Sequence, residues 1–390
     1  MRNEFIGSKL VIYLDGRIDS NNAEAVAQEI NQVLSGQSFD QLVLDLADLE
    51  YISSAGLRVV LRLRKSYSSL KLVNVTTDVY EIFDMTGFTE LMPVEKAYKK
   101  ISVDGCEVIG EGANGKVYRI DPETIVKVYA NPDSFEDIQR ERSLAKKAFV
   151  LGVNTAISYD IVQVGKLYGT VFELLNAKSL AACITQEPDK LDHYVDIYVD
   201  LLKKIHSIEV EDEDIPNIKE LALRWVNIAK TYLDEDVGAK LEQLVKAVPE
   251  SHHLIHGDYH LKNVMVQNGE AILIDMDTLC VGNPVFEFGS VFNAYIGFHS
   301  LDMDHAGDFL GITADESIQV WHKTLQKYFD TTDEETLKGY AEKAQVIGYT
   351  RLLQRAVRRT LHRGEDHAEE IAFYKKELAK LIASVDSLAF

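Results

Sequence analysis

Cysteine is scarce: Cys106, Cys183 and Cys280 are the only three in 390 residues, odd in number and without metal-ligand spacing. A disulfide scaffold and a thiolate metal cluster are thereby excluded, and free thiols in a reducing cytoplasm are expected. Long apolar runs are missing too. No stretch reaches the ~18 residues a membrane helix needs, and the opening MRNEFIGSKLVIYLDG breaks its apolar run with charges, so neither membrane insertion nor a signal peptide is expected. Basic charge is in short supply, with 41 Lys and Arg against 62 Asp and Glu, a net charge of −21. The deficit is uneven: 11 against 14 in the first hundred residues, 30 against 48 in the rest. Such a field repels nucleic acid, which is not an expected partner, and weakly favours a cationic substrate; it also aids solubility. There is no internal repeat and no low-complexity tract.

What is present is an ordinary globular composition, 46% hydrophobic and 26% charged, in a chain long enough for two domains. In the first hundred residues, short apolar runs of strand length, Lys9 to Leu14, Leu42 to Leu46 and Leu70 to Val75, alternate with helical patterns at Asn21 to Leu34 and Ser54 to Tyr67. That alternation predicts a small sheet covered by helices. A second strand-rich region runs from Ile101 to Tyr129, with turn signals at Asp104-Gly105 and Asp121-Pro122. From about residue 180 the pattern is helical almost to the end, apart from residues 252 to 290. Residues 209 to 220, EVEDEDIPNIKE, read as a solvated acidic loop.

Residues 109 to 118, IGEGANGKVY, place Gly110, Gly112, Gly115 and Val117 in a GxGxxGxV pattern. A dinucleotide-binding loop opens into a helix, but VYRIDPETIVKVY continues as strand, turn and strand, so a glycine-rich hairpin over nucleotide phosphates is the better reading. Lys127 follows on a β-branched strand, where a kinase needs a cation for the phosphates. Its expected partner lies on the next helix, capped by Ser134, where Ile138, Glu141, Ala145, Ala148 and Phe149 form one stripe. Glu141 is a charge on that apolar face and requires a cation; Glu136, off the stripe, is the second choice.

The most specific motif is HGDYHLKN, residues 256 to 263. Phosphoryl transfer to a hydroxyl needs a carboxylate to orient and deprotonate the acceptor, and an amide oxygen for Mg²⁺; Asp258 and Asn263 stand at that spacing. Twelve residues on, Ile272-Leu273-Ile274-Asp275-Met276-Asp277 is a strand ending in carboxylates, with Asp275 the preferred metal ligand and Asp277 the second. His256 and His260 have i,i+4 spacing, but Gly257-Asp258 between them argues against a helix and against zinc; His256 is expected to brace the loop.

From residue 103 onward these motifs resemble the aminoglycoside phosphotransferase and choline kinase-like family, which has a protein-kinase-like fold. The resemblance implies ATP and Mg²⁺, and a bilobal domain over 101–390 with an N-lobe to about 175 and a helical C-lobe from about 176. It also implies a hinge at Val171 to Leu175, where backbone groups of Glu173 and Leu175 hold the adenine. Gly257 replaces the arginine of regulated protein kinases, and only eight residues separate Asp275 from Pro284, as suits a small-molecule kinase held assembled. Glu287 stands where the family usually has aspartate.

Residues 1–100 resemble the STAS domain family, which includes bacterial anti-sigma factor antagonists. Asp15-Gly16-Arg17-Ile18-Asp19, LVLDL, YISSAGLRVVL and Asp78 to Gly87 carry the likeness. It implies a protein partner and makes Ser54 the candidate phosphoacceptor, although a serine here can also simply cap a helix. The aspartate that often precedes the acceptor is Ser53. The expected function is an ATP-dependent phosphotransferase acting on a small-molecule hydroxyl, with a regulatory or docking STAS domain. The alternatives are a protein serine kinase acting on Ser54, in cis or in trans, and a nucleotide-sensing partner-binding module.

Overall fold

The computed structural model describes residues 1–390 apart from Ala113, Asn114, Asp133, Glu213 and Glu365, and describes His362 and Arg363 by backbone alone. The chain divides into two units, Met1–Cys106 with Asp160–Gly169, and Glu107–Tyr159 with Thr170–Phe390.

In the first unit a sheet is ordered β1-β2-β3-β4-β5, from β1 (Asn3–Ile6), β2 (Lys9–Ile18), β3 (Gln41–Ile52), β4 (Lys71–Val75) and β5 (Val94–Lys96). β1 pairs antiparallel with β2; the other pairs are parallel and so require crossovers. These are α1 (Ala23–Leu34), α2 (Ser54–Ser66), and α3 (Thr77–Met85) with α4 (Phe88–Leu91). Both long strands outrun the apolar stretches that announce them. β2 and β3 stay paired through two register shifts as far as Ile18 and Ile52, because those residues and Leu49 return to the core after polar interruptions. Leu10, Ile12, Leu42, Leu44, Leu72 and Phe83 are fully buried at its centre, each contributing ~1.5–3 kcal/mol by its burial. β6 (Lys99–Ile101) lies parallel to Val162–Val164 within the same unit.

The two serines at the start of α2 divide their labour. Ser53, with φ −92° and ψ 174°, is the N-cap, and its hydroxyl accepts from the Ala55 amide at 3.2 Å. Ser54 is the first helical residue and is exposed. Ser53→Ala is therefore expected to weaken the first turn by about 1 kcal/mol. Amide hydrogen exchange there should speed up about fivefold, whereas Ser54→Ala leaves it nearly unchanged.

The second unit begins with an antiparallel meander of β7 (Glu107–Gly112), β8 (Gly115–Arg119) and β9 (Thr124–Tyr129), followed by α5 (Phe135–Val150). β10 (Ser158–Val164) and β11 (Leu167–Glu173) bring their ends at Ser158–Tyr159 and Thr170–Glu173 into this unit. Then come β12 (Lys178–Ser179), α6 (Leu180–Gln186), α7 (Leu191–His206), α8 (Ile218–Ala229) and α9 (Glu235–Ala247). Four short strands follow, β13 (Leu254–Ile255), β14 (Val264–Gln267), β15 (Glu270–Leu273) and β16 (Cys280–Val281), before α10 (Val285–Tyr295), α11 (Ala314–Phe329), α12 (Glu334–Arg363) and α13 (Ala368–Ser384). Helix thus resumes at Val285, earlier than residue 290.

All eleven residues of α10 are buried, which makes it the axis of the helical core. α12 lies close against it because glycines line the crossing: a Cβ on Gly289 would meet Ile347 Cγ2 at 2.5 Å, and one on Gly348 would meet Phe292 Cδ1 at 2.5 Å. The acidic stretch after residue 209 is less solvated than its charge suggests. Val210 and Ile215 are buried, Asp212 and Asp214 pair with Lys147 at 2.8 and 3.0 Å, and α8 has begun by Ile218. Its apolar residues anchor it; Glu213 lies outside the described residues. No helix among the described residues is long and apolar enough to cross a membrane.

Candidate active site

A cavity of about 470 Å³ opens beneath the β7–β8 hairpin, lined among others by Ile109, Val117, Lys127, Glu141, Asp275 and residues 172–175. In the hairpin Gly110 faces Val117 and Gly112 faces Gly115, while the tip, Ala113-Asn114, lies outside the described residues. Of the three glycines Gly115 is the one the backbone demands. Its φ is +154°, and a Cβ there would sit 2.0 Å from the Val128 carbonyl oxygen. On the opposite wall, Glu173 and Leu175 flank Leu174, whose own amide is engaged by the Glu123 carbonyl at 2.7 Å.

Lys127 on β9 is the electrostatic centre of this cavity. Its Nζ lies 3.0 Å from Glu141 Oε1 and 2.5 Å from Asp275 Oδ1. Burial works against its charge, yet the carboxylates of Asp275 and Glu141 hold its pKa well above the ordinary lysine value. Glu141 is also held by the Tyr129 hydroxyl, which donates to Oε2 at 2.8 Å. Glu136 is exposed and takes no part. Two expectations for α5 fail: Phe149 is 51% exposed, its place in the stripe taken by buried Leu144, and Ser134 stands at the N-cap without a capping hydrogen bond. Behind α5, the Leu273 amide donates to the Asn154 carbonyl at 2.8 Å and Asn154 Nδ2 donates to the Ala271 carbonyl at 3.1 Å, fastening the segment after α5 onto β15.

The loop around Asp258 is held by nearly every backbone group it has. The buried Glu287 carboxylate accepts from the His256 amide at 2.6 Å and the Gly257 amide at 3.0 Å. The carbonyls of His256, Gly257 and Asp258 accept from Thr278 Oγ1, Ser290 Oγ and Asn263 Nδ2 at 2.8, 2.7 and 3.0 Å. Arg351 Nη1 adds a 2.8 Å bond to the Gly257 carbonyl. His256 Nδ1 accepts the Asp258 amide, so its Nε2 carries the proton and donates to the Ile274 carbonyl. Tyr259 and Tyr198, both fully buried, exchange hydroxyl-to-carbonyl bonds at 2.7 and 3.1 Å. Gly257 has φ +83°, and a Cβ would lie 2.5 Å from the Thr278 carbonyl oxygen, so no arginine fits there.

Asp258 itself is half-buried, with Oδ2 3.5 Å from His260 Nε2. Burial alone would raise its pKa, but the His260 hydrogen bond and the nearby charges of His260 and Arg351 bring it down to about 2. Asp275 is a non-glycine residue in left-handed conformation, φ 65° and ψ 63°, the kind of strain that clusters at functional sites. Asp277 is pushed up to about 7 by burial and by the negative charges of Asp275, Glu141 and Asp258, partly offset by Lys127. No cluster of three His, Cys, Asp or Glu among the described residues is spaced as a preformed metal site.

Asp275 also borders a second cavity of about 310 Å³, shared with Asp258, Asp277, Thr278, Asn293, Phe298, Arg351 and Arg355. Sequence reasoning did not pick out the two arginines. Their signal was an i,i+4 row, Arg351, Arg355 and Arg359, in a long helix that otherwise reads as ordinary surface. Tyr198 and Ser290 carried no motif at all.

Two family models match successive stretches of the chain. The phosphotransferase enzyme family model matches residues 105–321, and the STAS domain model matches residues 1–101. BtrV of Bordetella bronchiseptica, named as an anti-sigma factor antagonist, is 42% identical over 94 residues, covering 23% of this chain and 79% of that protein. An anti-sigma F factor antagonist of Paenibacillus polymyxa is 24% identical over 89 residues, covering 22% and 76%. Among solved structures, a thermostable mutant of the aminoglycoside phosphotransferase APH(4)-Ia, in ternary complex with AMP-PNP and hygromycin B, aligns with a TM-score of 0.50 at 14% identity. The alignment covers 72% of this chain and 94% of that one, a likeness of fold.

Proposed function

The chain belongs to the phosphotransferase enzyme family and joins it to a STAS domain, and from that premise we propose that residues 101–390 transfer the γ-phosphate of ATP to a hydroxyl of a small molecule, with the STAS domain as a regulatory or docking module. One observation carries this reading. Asp275 lines both cavities, so the side that would take a nucleotide and the side that holds Asp258 meet at a single carboxylate already paired with Lys127.

The donor set fits a nucleotide with a divalent cation. Asn263 spends its amide N–H on the loop, leaving Oδ1 as a hard acceptor, and Asp275 adds a carboxylate; these two would hold Mg²⁺, a cation that takes oxygen ligands. Burial first, and then the negative charges of Asp275, Glu141 and Asp258, hold Asp277 above the usual carboxylate range; a cation would relieve the second of these. ATP with Mg²⁺ would supply the phosphoryl group and offset charge on its oxygens. The chain does the rest. Lys127, fixed by Glu141, presents a point charge to the phosphates, with the backbone of Gly110, Gly112 and Gly115 above them beside Val117. Glu173 and Leu175 offer backbone groups to the base. Asp258 takes the proton of the acceptor hydroxyl as that oxygen bonds to phosphorus and the bond to the departing diphosphate breaks. The test is ADP release by Asp258→Asn beside the parent protein.

A second reading is favoured by the exposure of Ser54: a protein kinase activity that phosphorylates this serine, in cis or in trans. Because Ser53 does the capping, Ser54 is spared for other use, and a phosphate there would meet the helix N-terminus with Arg58 one turn on. Incubation with ATP and Mg²⁺ followed by intact mass should add one phosphate that Ser54→Ala abolishes. An unchanged mass in the parent protein removes this reading.

A further inference from the structure

The second cavity holds a charge pattern that the chain as a whole does not predict. In a protein with a net charge of −21, Arg355 borders the Asp258 cavity with no ion pair or hydrogen bond among the described residues. Its guanidinium lies over the Phe298 ring, 5.3 Å from the centroid, which orients it without neutralising it. Arg351, one turn earlier on α12, uses Nη1 on the Gly257 carbonyl and Ser290 hydroxyl and lies over Trp225 at 5.3 Å, so it too has no carboxylate in ion-pair distance among the described residues. Partial burial and the like charges of Arg359 and Arg351 push the Arg355 pKa down, with Asp258 opposing; the cations crowd one another.

The three aspartates in this cavity have other tasks on the reading above, one as base and two beside a cation. What remains to face an acceptor is a planar fork of donors, with Thr278 and Asn293 as polar neighbours and Phe298 as an apolar wall. A guanidinium kept near a hydroxyl-transfer site with no carboxylate in ion-pair distance among the described residues matches a ligand anion, which it can grip through paired N–H bonds. At about 310 Å³ the cavity suits a small molecule better than a folded protein surface.

We propose that Arg355, with Arg351 behind it, binds the anionic group of the acceptor, so that the substrate is a small hydroxylated anion bearing a carboxylate or phosphate. This rests on the phosphotransferase reading of the same site. It also qualifies the expectation of a cationic substrate drawn from total charge: in physiological salt such a field fades over ~8 Å, and the contacts within the cavity decide.

The test is ADP release at fixed ATP and Mg²⁺ with three sets of acceptors. The anions are glycerate, gluconate and glycerol phosphate; the neutral set is glycerol and inositol; the cations are choline and kanamycin. An anion should stimulate release, and Arg355→Gln should lower kcat/KM for it at least tenfold more than for a neutral acceptor, with Arg355→Lys recovering part. The carboxylate and phosphate arms identify which group is gripped. Stimulation by neutral or cationic acceptors alone, equal loss for all classes, or no response to any anion overturns the proposal. Calorimetry of ATP binding on the same samples separates the failures: ATP bound but anions ignored sinks the acceptor class alone, and no ATP binding sinks the phosphotransferase reading with it.

Discussion

Asp258→Asn should lower kcat by a factor of about 10² to 10⁴ while leaving ATP affinity within about twofold. The substitution keeps the shape of the side chain, and the loop backbone is held by groups other than the carboxylate, so positions should persist while the proton acceptor is lost. ADP release and calorimetric ATP binding read the two effects separately. The carboxyl, held at about 2, is ionised across the neutral range. Its pKa lies below that of an unfolded aspartate, so any stability it lends is present above about pH 4 and is lost only as the pH falls towards 2. A loss of activity near pH 6 would therefore have another origin. Turnover within tenfold of the parent would remove Asp258 from the role of base.

Glu287→Ala should cost about 3–5 kcal/mol, because it leaves the His256 and Gly257 amides buried without an acceptor, and each orphaned N–H costs roughly 1–3 kcal/mol. The same change frees the loop that carries Asp258, so turnover should fall with stability. Glu287→Gln retains one carbonyl but turns an amide group toward the other N–H, and should lose about half as much. Urea unfolding of the second unit checks the order Ala, Gln, parent. A variant as stable as the parent would mean that water replaces the carboxylate. Glutamate in place of the family's usual aspartate thus still makes two bonds to the loop.

Much of this was legible because nucleotide chemistry uses short sequence-local devices. HGDYHLKN puts Asp258 and Asn263 on one loop, and a glutamate on an apolar helical face had to find a cation, which located the Lys127–Glu141 pair before any coordinates. The braces were illegible for the converse reason. Tyr198, Ser290 and Arg351 reach the loop from α7, α10 and α12, and no spacing along the chain records a meeting across 33 to 94 residues; Glu287 was picked out only through the family resemblance. Strand ends were short by several residues because register shifts let pairing continue through polar positions, and the acidic loop was misjudged because three apolar side chains outweigh its charge.

The bonds between Asn154 and β15 bear on how this protein can be controlled. Many kinases are silenced by swinging away the helix that carries the glutamate partner of the lysine. Here that helix leads into a segment hydrogen-bonded to the strand just before Asp275, so the glutamate and the aspartate that share Lys127 belong to one continuous strap. A regulator therefore gains little by pulling on α5. Any displacement of α5 has to carry β15 with it or first break these two bonds.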